Sequence, residues 1–267
     1  RCNTFTKFRD LLRTADLVDA EWVATGHYAR VVDGELRRGL DPGKDQTYFL
    51  WGVDRRVVRR MLLPVGGLTK AETRAVARRL GLAVVAEKVE SQDICFVPDG
   101  DHTKVIRRTL GDDAPALARG PFLTLDGRVV GEHDGHARFT VGQRRGLPGG
   151  FAEPMYVVAI RPADRAVVVG PREALLGRGV TARGVNWLAD APPLGAEVQV
   201  QVRHRARPVP ATLVRADDEE VELALHEPVS AITPGQSLVV YDGDRVLGGG
   251  VIEAALGQRA VLPVLAA

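Results

Sequence analysis

Residues 198–203 read Val198-Gln199-Val200-Gln201-Val202-Arg203, an alternation that puts valines on one face of an extended chain and polar side chains on the other. A helix would scatter the same residues around its axis, so this stretch reads as a half-buried strand. Toward the C-terminus the pattern repeats through Val221, Leu223 and Leu225, then Ser237 to Tyr241, the Asp242-Gly243 turn, and Val246 to Ile252. A small antiparallel β-barrel over residues 178–267 is expected.

Upstream, the texture between 106 and 177 is also short-stranded. Phe122 to Leu125, Asp126-Gly127 and Arg128 to Gly131 predict one hairpin, and Tyr156 to Ile160 with Ala166 to Val169 predicts a second. Residues 1–105 differ, because Phe5, Phe8, Leu11 and Leu12 recur at helical spacing before the short apolar run Trp22 to Thr25. That order predicts an α/β unit. Thr69-Lys70-Ala71-Glu72 has capping-box spacing at the head of a helix that runs to Leu80 and closes at Gly81. Val84-Val85 reads as a further strand. The expected fold class is therefore α/β plus β in three domains, 1–105, 106–177 and 178–267.

Composition narrows the function classes. A chain of 267 residues with 45% apolar content is globular. No apolar run is long enough to cross a bilayer and no signal-peptide order opens the chain, which predicts a soluble cytoplasmic protein without a membrane partner. The net charge of +2 leaves nucleic-acid contact to local clusters: Arg55, Arg56, Arg59 and Arg60; Arg144 and Arg145; Arg203, Arg205 and Arg207. Two cysteines, Cys2 and Cys95, exclude a disulfide-stapled scaffold and a four-cysteine zinc site.

Several strings have the make-up of sites. Gly26-His27-Tyr28 follows a strand, where open α/β sheets bind ligands, although a tight turn with a structural histidine fits as well. Asp41-Pro42-Gly43-Lys44-Asp45-Gln46 packs carboxylates, an ammonium and an amide around a turn. Cys95 sits in Ser91-Gln92-Asp93-Ile94-Cys95-Phe96, either as an inert small hydrophobe or as a thiolate needing positive surroundings; Cys2, beside Arg1 and near Lys7, has the more electropositive setting. His133-Asp134-Gly135-His136 has too few partners for a metal site, whereas Gly142-Gln143-Arg144-Arg145-Gly146-Leu147 offers amides and guanidinium forks suited to phosphates or base edges.

Together Arg1-Cys2-Asn3, Ala24-Thr25-Gly26-His27-Tyr28-Ala29, Lys44-Asp45-Gln46-Thr47-Tyr48-Phe49-Leu50, Ser91 to Phe96 and Gly142 to Leu147, in that order, resemble the tRNA-specific 2-thiouridylase (MnmA/TrmU) family over essentially the whole chain. The resemblance implies part of an ATP-pyrophosphatase-type α/β domain, a small central domain and a C-terminal barrel that grips tRNA. It implies Cys2 as nucleophile, Cys95 as persulfide carrier and Gly26 as an ATP contact. Lys44, Asp45, Gln46, Gln143, Arg144, Arg203 and His204 would meet tRNA, with His204 standing where the family has tyrosine. ATP with Mg²⁺ would adenylate the C2 oxygen of the wobble uridine in tRNAs for Lys, Glu and Gln. A cysteine desulfurase or relay protein would supply sulfur, and a Cys2–Cys95 disulfide would remain after transfer.

The family's Ser-Gly-Gly-x-Asp-Ser phosphate loop and its Asn-Pro-Asp stretch do not occur here, and the chain opens on Arg1. An N-terminally truncated fragment, inactive with ATP by itself, is the expectation. The alternatives are a non-enzymatic RNA-binding module with bystander cysteines, and a thiol oxidoreductase, which no Cys-x-x-Cys pair supports.

Overall fold

The computed structural model describes residues 8–87, 97, 100–217 and 219–257. Helix α1 (Phe8–Leu17) leads to strand β1 (Val23–Ala24), then β2 (Ala29–Val32), β3 (Glu35–Arg38), a 3-10 turn at Thr47–Phe49 and helix α2 (Arg55–Val58). Strand β4 (Met61–Leu62) and helices α3 (Lys70–Arg79), α4 (Ala83–Glu87) and α5 (His102–Leu110) follow. Next come β5 (Arg119–Leu123), β6 (Val129–Asp134), β7 (Tyr156–Arg161) and β8 (Ala166–Gly170). The chain continues through β9 (Leu176–Trp187), β10 (Glu197–Gln201), β11 (Val209–Ala216), β12 (Glu220–Ser230), β13 (Ser237–Asp242) and β14 (Arg245–Leu256). The described residues fall into two compact units, one uniting 8–87 with 178–227 and 233–256, the other holding 97, 100–177, 228–232 and 257.

In the first unit β13-β10-β11-β12-β9-β14 form a six-stranded ring that the β13–β14 pairing closes. The mixed α/β and barrel architecture read from the sequence is what the chain adopts. Strand β13 reads Leu238-Val239-Val240-Tyr241, fully buried at all four positions, because both of its faces are covered. Val239 and Tyr241 pack with Phe8, Val23, Leu36, Leu50 and Met61 of the α/β part. That shared core fuses the α/β part to the barrel. Strands β1 and β4 pair in parallel, Val23 with Met61 and Ala24 with Leu62.

The hairpin β2–β3 was not predicted. Its turn is Asp33-Gly34, with φ of 52° and 76°, the left-handed pair that an Asp-Gly two-residue turn favours. Through the pairing of Arg245 with Arg37 it adds two strands to the barrel sheet, giving the order β13-β10-β11-β12-β9-β14-β3-β2.

Helix α3 starts at the capping box: the Glu72 amide donates to Thr69 Oγ1 at 3.2 Å and the Thr69 amide donates to Glu72 Oε2 at 2.7 Å. Past Gly81, at φ +74°, the chain winds into α4, so the strand expected at Val84-Val85 is a correction. The Leu82 amide bonds the Ala77 carbonyl and the Ala86 amide bonds that of Leu82, which spends the backbone on helical turns; Val84 is 85% exposed, with no sheet to cover it.

The second unit carries a sheet of order β6-β5-β8-β7, and both predicted hairpins are present. Gly127 turns the first at φ +83°. Phe122, Val157, Val167 and Val169 form its core, with Phe139, Leu147, Phe151 and Met155 partly buried against them. Among the described residues no helix is long and apolar enough to cross a membrane.

Candidate functional site

Two loops of the first unit are stapled together. The Tyr28 amide donates to Gln46 Oε1 and the Gln46 amide donates to the Tyr28 carbonyl, both at 2.9 Å. The turn bearing Gly26 and the loop bearing Lys44, Asp45 and Gln46 are thus one construction. Asp41 ties it to α3, since Oδ1 accepts from the Gly43 amide and Oδ2 from the Lys70 amide, each at 3.0 Å. Gly26 is exposed, and a Cβ added there would meet nothing within 4 Å. Tyr28 lies beneath, and its buried hydroxyl has no hydrogen-bond partner among the described residues.

Asp45 points inward. Its Oδ1 accepts from the Gly39 amide at 3.0 Å and the Thr47 amide at 3.2 Å, its Oδ2 accepts from Thr47 Oγ1 at 2.8 Å, and Arg38 approaches to 3.7 Å. The side chain is only 9% exposed. Behind it, the Tyr241 hydroxyl stands 3.2 Å from Thr47 Oγ1 and 3.1 Å from Gln201 Oε1. Thr47 gives its proton to Asp45, so the Tyr241 proton is shared between the other two. Burial pushes the Tyr241 phenol up to about 12, which keeps it a donor at neutral pH. The Arg38 guanidinium lies 3.8 Å from the centre of the Tyr241 ring, where its charge faces the aromatic quadrupole. Asp45 and Gln46 therefore shape the loop with the very groups the resemblance offers to tRNA.

Beyond the loop the surface becomes aromatic and cationic. Tyr48 is buried and donates to the Ser237 carbonyl at 3.0 Å; burial raises its pKa. Phe49, its edge 5.4 Å from Tyr48 in ring-centre separation, is 43% exposed and lies 4.5 Å from the His204 ring. Partial burial and, secondarily, Arg205 push the His204 imidazole below the ordinary histidine range. Arg203, Arg205 and Arg207 are exposed in the turn between β10 and β11, and no ion pair with another described residue occupies them. The cluster near α2 contrasts with this: Arg55 pairs with Asp190, Arg56 with Asp54 and Arg60 with Asp16. Unpaired guanidinium beside exposed aromatic rings is the surface chemistry that takes both phosphate and base.

The structure thus gathers Gly26, Lys44, Asp45, Gln46, Arg203 and His204 in one unit. Gln143 and Arg144 belong to the other. There Gln143 braces its loop, Oε1 accepting from the Thr140 amide at 3.1 Å and Nε2 donating to the Arg145 carbonyl at 2.9 Å, while Arg144 and Arg145 are exposed. His133 and His136 are buried; His133 sits among Phe122 and Phe139 at ring distances of 5.1 and 5.3 Å, as a core residue. Cys2 and Cys95 lie outside the described residues. A cavity of about 630 Å³ between α1 and residues 52–57 is lined by none of the predicted site residues.

Sequence reasoning missed Phe49, Thr47, Tyr241 and Gln201. Phe49 and Thr47 stand within a quoted motif that gives neither a role of its own. Gln201 shared the polar face of β10, as predicted, yet is buried because the 45–49 loop network covers that face.

Three family descriptions match consecutive parts of the chain: "tRNA methyl transferase HUP domain" over residues 1–99, "tRNA methyl transferase PRC-barrel domain" over 107–171 and "Aminomethyltransferase beta-barrel domain" over 177–252. The tRNA-specific 2-thiouridylase MnmA of Geotalea uraniireducens is 44% identical over 264 residues, covering 97% of this chain and 69% of that protein. The protein of the same name in Carboxydothermus hydrogenoformans is 43% identical, covering 96% of this chain and 71% of the relative. That of Rhodospirillum centenum is 45% identical, with 98% and 69% covered.

Proposed function

The chain belongs to the tRNA-specific 2-thiouridylase family, and from that premise we propose how its residues take part in making 2-thiouridine in tRNA. The enzyme is a tRNA sulfurtransferase, and its HUP-type domain suits ATP as the activating substrate. The C2 carbonyl of uridine is a poor electrophile, because its oxygen would leave a delocalised ring as hydroxide. Adenylation by ATP turns that oxygen into the leaving group AMP, with pyrophosphate released and Mg²⁺ offsetting phosphate charge. The open backbone at Gly26, after β1, suits close approach of the nucleotide.

Sulfur then arrives as a persulfide on Cys95. Its terminal sulfur attacks C2 and expels AMP, giving a ring carbon bound through two sulfurs to Cys95. The Cys2 thiolate attacks the Cys95 sulfur; the sulfur–sulfur bond breaks, its electrons stay with the ring sulfur, and a Cys2–Cys95 disulfide remains. An external thiol must reduce that disulfide before another turnover. A cysteine desulfurase or relay protein reloads Cys95, and tRNAs for Lys, Glu and Gln in the cytoplasm are the substrates. We take 1–105, 106–177 and 178–267 as the working division between catalysis, central contact and barrel.

The observation that carries the RNA side of this reading is the exposed Phe49–His204 ring pair, edged by Arg203, Arg205 and Arg207 and joined through Tyr48 to the Gln46 loop. Phe49 offers a stacking face, the arginines offer phosphate contacts, and Asp45 with Tyr241 holds the loop between them. The chemical side is tested with the natural protein, a tRNA transcript, a persulfide donor and ATP labelled at the α-phosphate. One AMP per 2-thiouridine is expected; ADP as the labelled product would overturn adenylation.

A further inference from the structure

Strand β13 carries a hydroxyl that core packing does not require. Tyr241 is fully buried in the core shared by the α/β part and the barrel, in one cluster with Leu36, Leu50, Val239 and Val246. A phenylalanine would fill that volume without desolvating a polar group, so the phenol must find hydrogen bonds where it lies. It meets two partners far away in sequence, Thr47 Oγ1 at 3.2 Å and Gln201 Oε1 at 3.1 Å. Both are buried as well, Thr47 with 0% and Gln201 with 6% of its surface exposed.

Each partner leads outward to a different strip of the surface. On one side Thr47 Oγ1 donates to Asp45 Oδ2, Asp45 Oδ1 accepts from the Gly39 and Thr47 amides, and the Gln46 amide holds the Tyr28 carbonyl. On the other side Gln201 Nε2 donates to the Arg203 carbonyl at 3.2 Å, one residue before His204. An unbroken run of hydrogen bonds therefore joins the Lys44–Gln46 loop to the end of β10, with the Tyr241 hydroxyl in the middle. Every member of the run has its partners, which in a low-dielectric interior makes it stiff. Other ties hold the loop alone: Asp41 fastens it to α3 and the Tyr48 hydroxyl fastens it to the Ser237 carbonyl, and neither bond reaches β10.

We propose that Tyr241 is a positioning residue for tRNA: its hydroxyl fixes the spacing between the Lys44–Gln46 loop and the Arg203–His204 end of β10, so that both meet one tRNA already in place. That both strips meet tRNA rests on the reading above; that Tyr241 sets their spacing stands on the hydrogen bonds alone. A preset spacing spares the ordering that binding would otherwise cost. The hydroxyl is buried and touches no reacting atom, so it acts on tRNA binding and not on the chemical step.

Tyr241→Phe keeps the ring, the core volume and the Arg38 guanidinium over the ring face, and removes the hydroxyl alone. In the natural protein, KM for a tRNA transcript is expected to rise about three- to tenfold, the worth of one hydrogen bond, while kcat at saturating tRNA stays within about twofold. In the free protein the Gly39 and Thr47 amides, which Asp45 holds, should exchange hydrogen faster, with the Val23 and Thr25 amides beside β4 unchanged. Thr47→Val cuts the same run, so the double variant should bind tRNA no worse than Thr47→Val alone. Ile252→Val, a core truncation on β14, is the control: it should lower the urea midpoint and leave KM at the wild-type value. Unchanged exchange at Gly39 and Thr47, additive losses in the double variant, or a fall in kcat with KM unaltered would overturn the positioning role. So would an equal rise in KM for Ile252→Val, because lost stability would then explain both. Faster exchange with an unaltered KM would overturn the role through the reading it rests on, since Tyr241 would anchor a loop that meets no tRNA.

Discussion

Replacing Asp45 by alanine separates scaffold from contact. In the wild type its carboxylate accepts from the Gly39 amide, the Thr47 amide and Thr47 Oγ1, with Arg38 at 3.7 Å and only 9% of the side chain exposed. Hydrogen bonds to a charged acceptor contribute about 1.5–3 kcal/mol each, but three on one carboxylate are coupled and do not sum. Removing one partner of a buried charged network costs about 3–5 kcal/mol. With a urea m-value of about 2 kcal/mol/M, the midpoint should drop by about 1.5–2.5 M. Trp22, Trp51 and Trp187 all lie in the first unit, so tryptophan fluorescence reads its transition alone. Asp45→Asn keeps an acceptor for the two amides and loses the one for Thr47 Oγ1, so about half the drop is expected. A midpoint within 0.3 M (about 0.6 kcal/mol) for the alanine variant, together with lost tRNA affinity, would refute the scaffold assignment and make Asp45 a direct contact.

Phe49→Ala should weaken tRNA binding by about 5- to 150-fold, the equivalent of about 1–3 kcal/mol for one stacked base, while the urea midpoint barely moves; affinity within twofold of wild type in filter binding would place the base elsewhere. Arg203→Ala should lower the slope of log affinity against log salt by about 0.7–0.9, one released counterion, and an unchanged slope would mean that this guanidinium meets no phosphate. His133 and His136 are held below the ordinary histidine range by burial, so the unfolded chain binds protons more readily than the folded one. Stability of the second unit should be complete above about pH 6.5 and decline as the pH falls through that value. Hydrogen exchange of β5 to β8 amides at pH 7.5 and 5.5 reads this, and His133→Leu should flatten the dependence.

Local rules made much of the fold legible. The alternation at Val198 to Val202, the Thr69/Glu72 box and the Asp126-Gly127 turn each depend on neighbours within a few residues, and each was read correctly. Val84-Val85 misled because an apolar pair has no period, and helix or strand was decided by where Gly81 sent the backbone. The Asp33-Gly34 hairpin has a local signal too, an Asp-Gly pair between Val32 and Glu35, but its flanking strands of four residues are too short for an alternating pattern to mark them. The candidate site was legible as motifs but not as roles. Asp45 and Gln46 look like exposed polar turn residues until Thr47, Tyr28 and Tyr241 are brought to them, and Tyr241 arrives from nearly two hundred residues away. Phe49 looks like core until the end of β10 leaves its ring half open. The roles proposed for Cys2 and Cys95 rest on resemblance, because two thiols 93 positions apart carry no spacing rule that pairs them.

The central chemical claim is best tested on tRNA drawn from cells that lack their own 2-thiouridylase and express the natural gene for this protein or its Cys95→Ser variant. Mass spectrometry of the digested nucleosides should find 2-thiouridine with the wild type and none with the variant, while both proteins co-purify with tRNA. Normal 2-thiouridine in the variant would contradict the account, because sulfur would then reach the ring without the cysteine proposed to carry it.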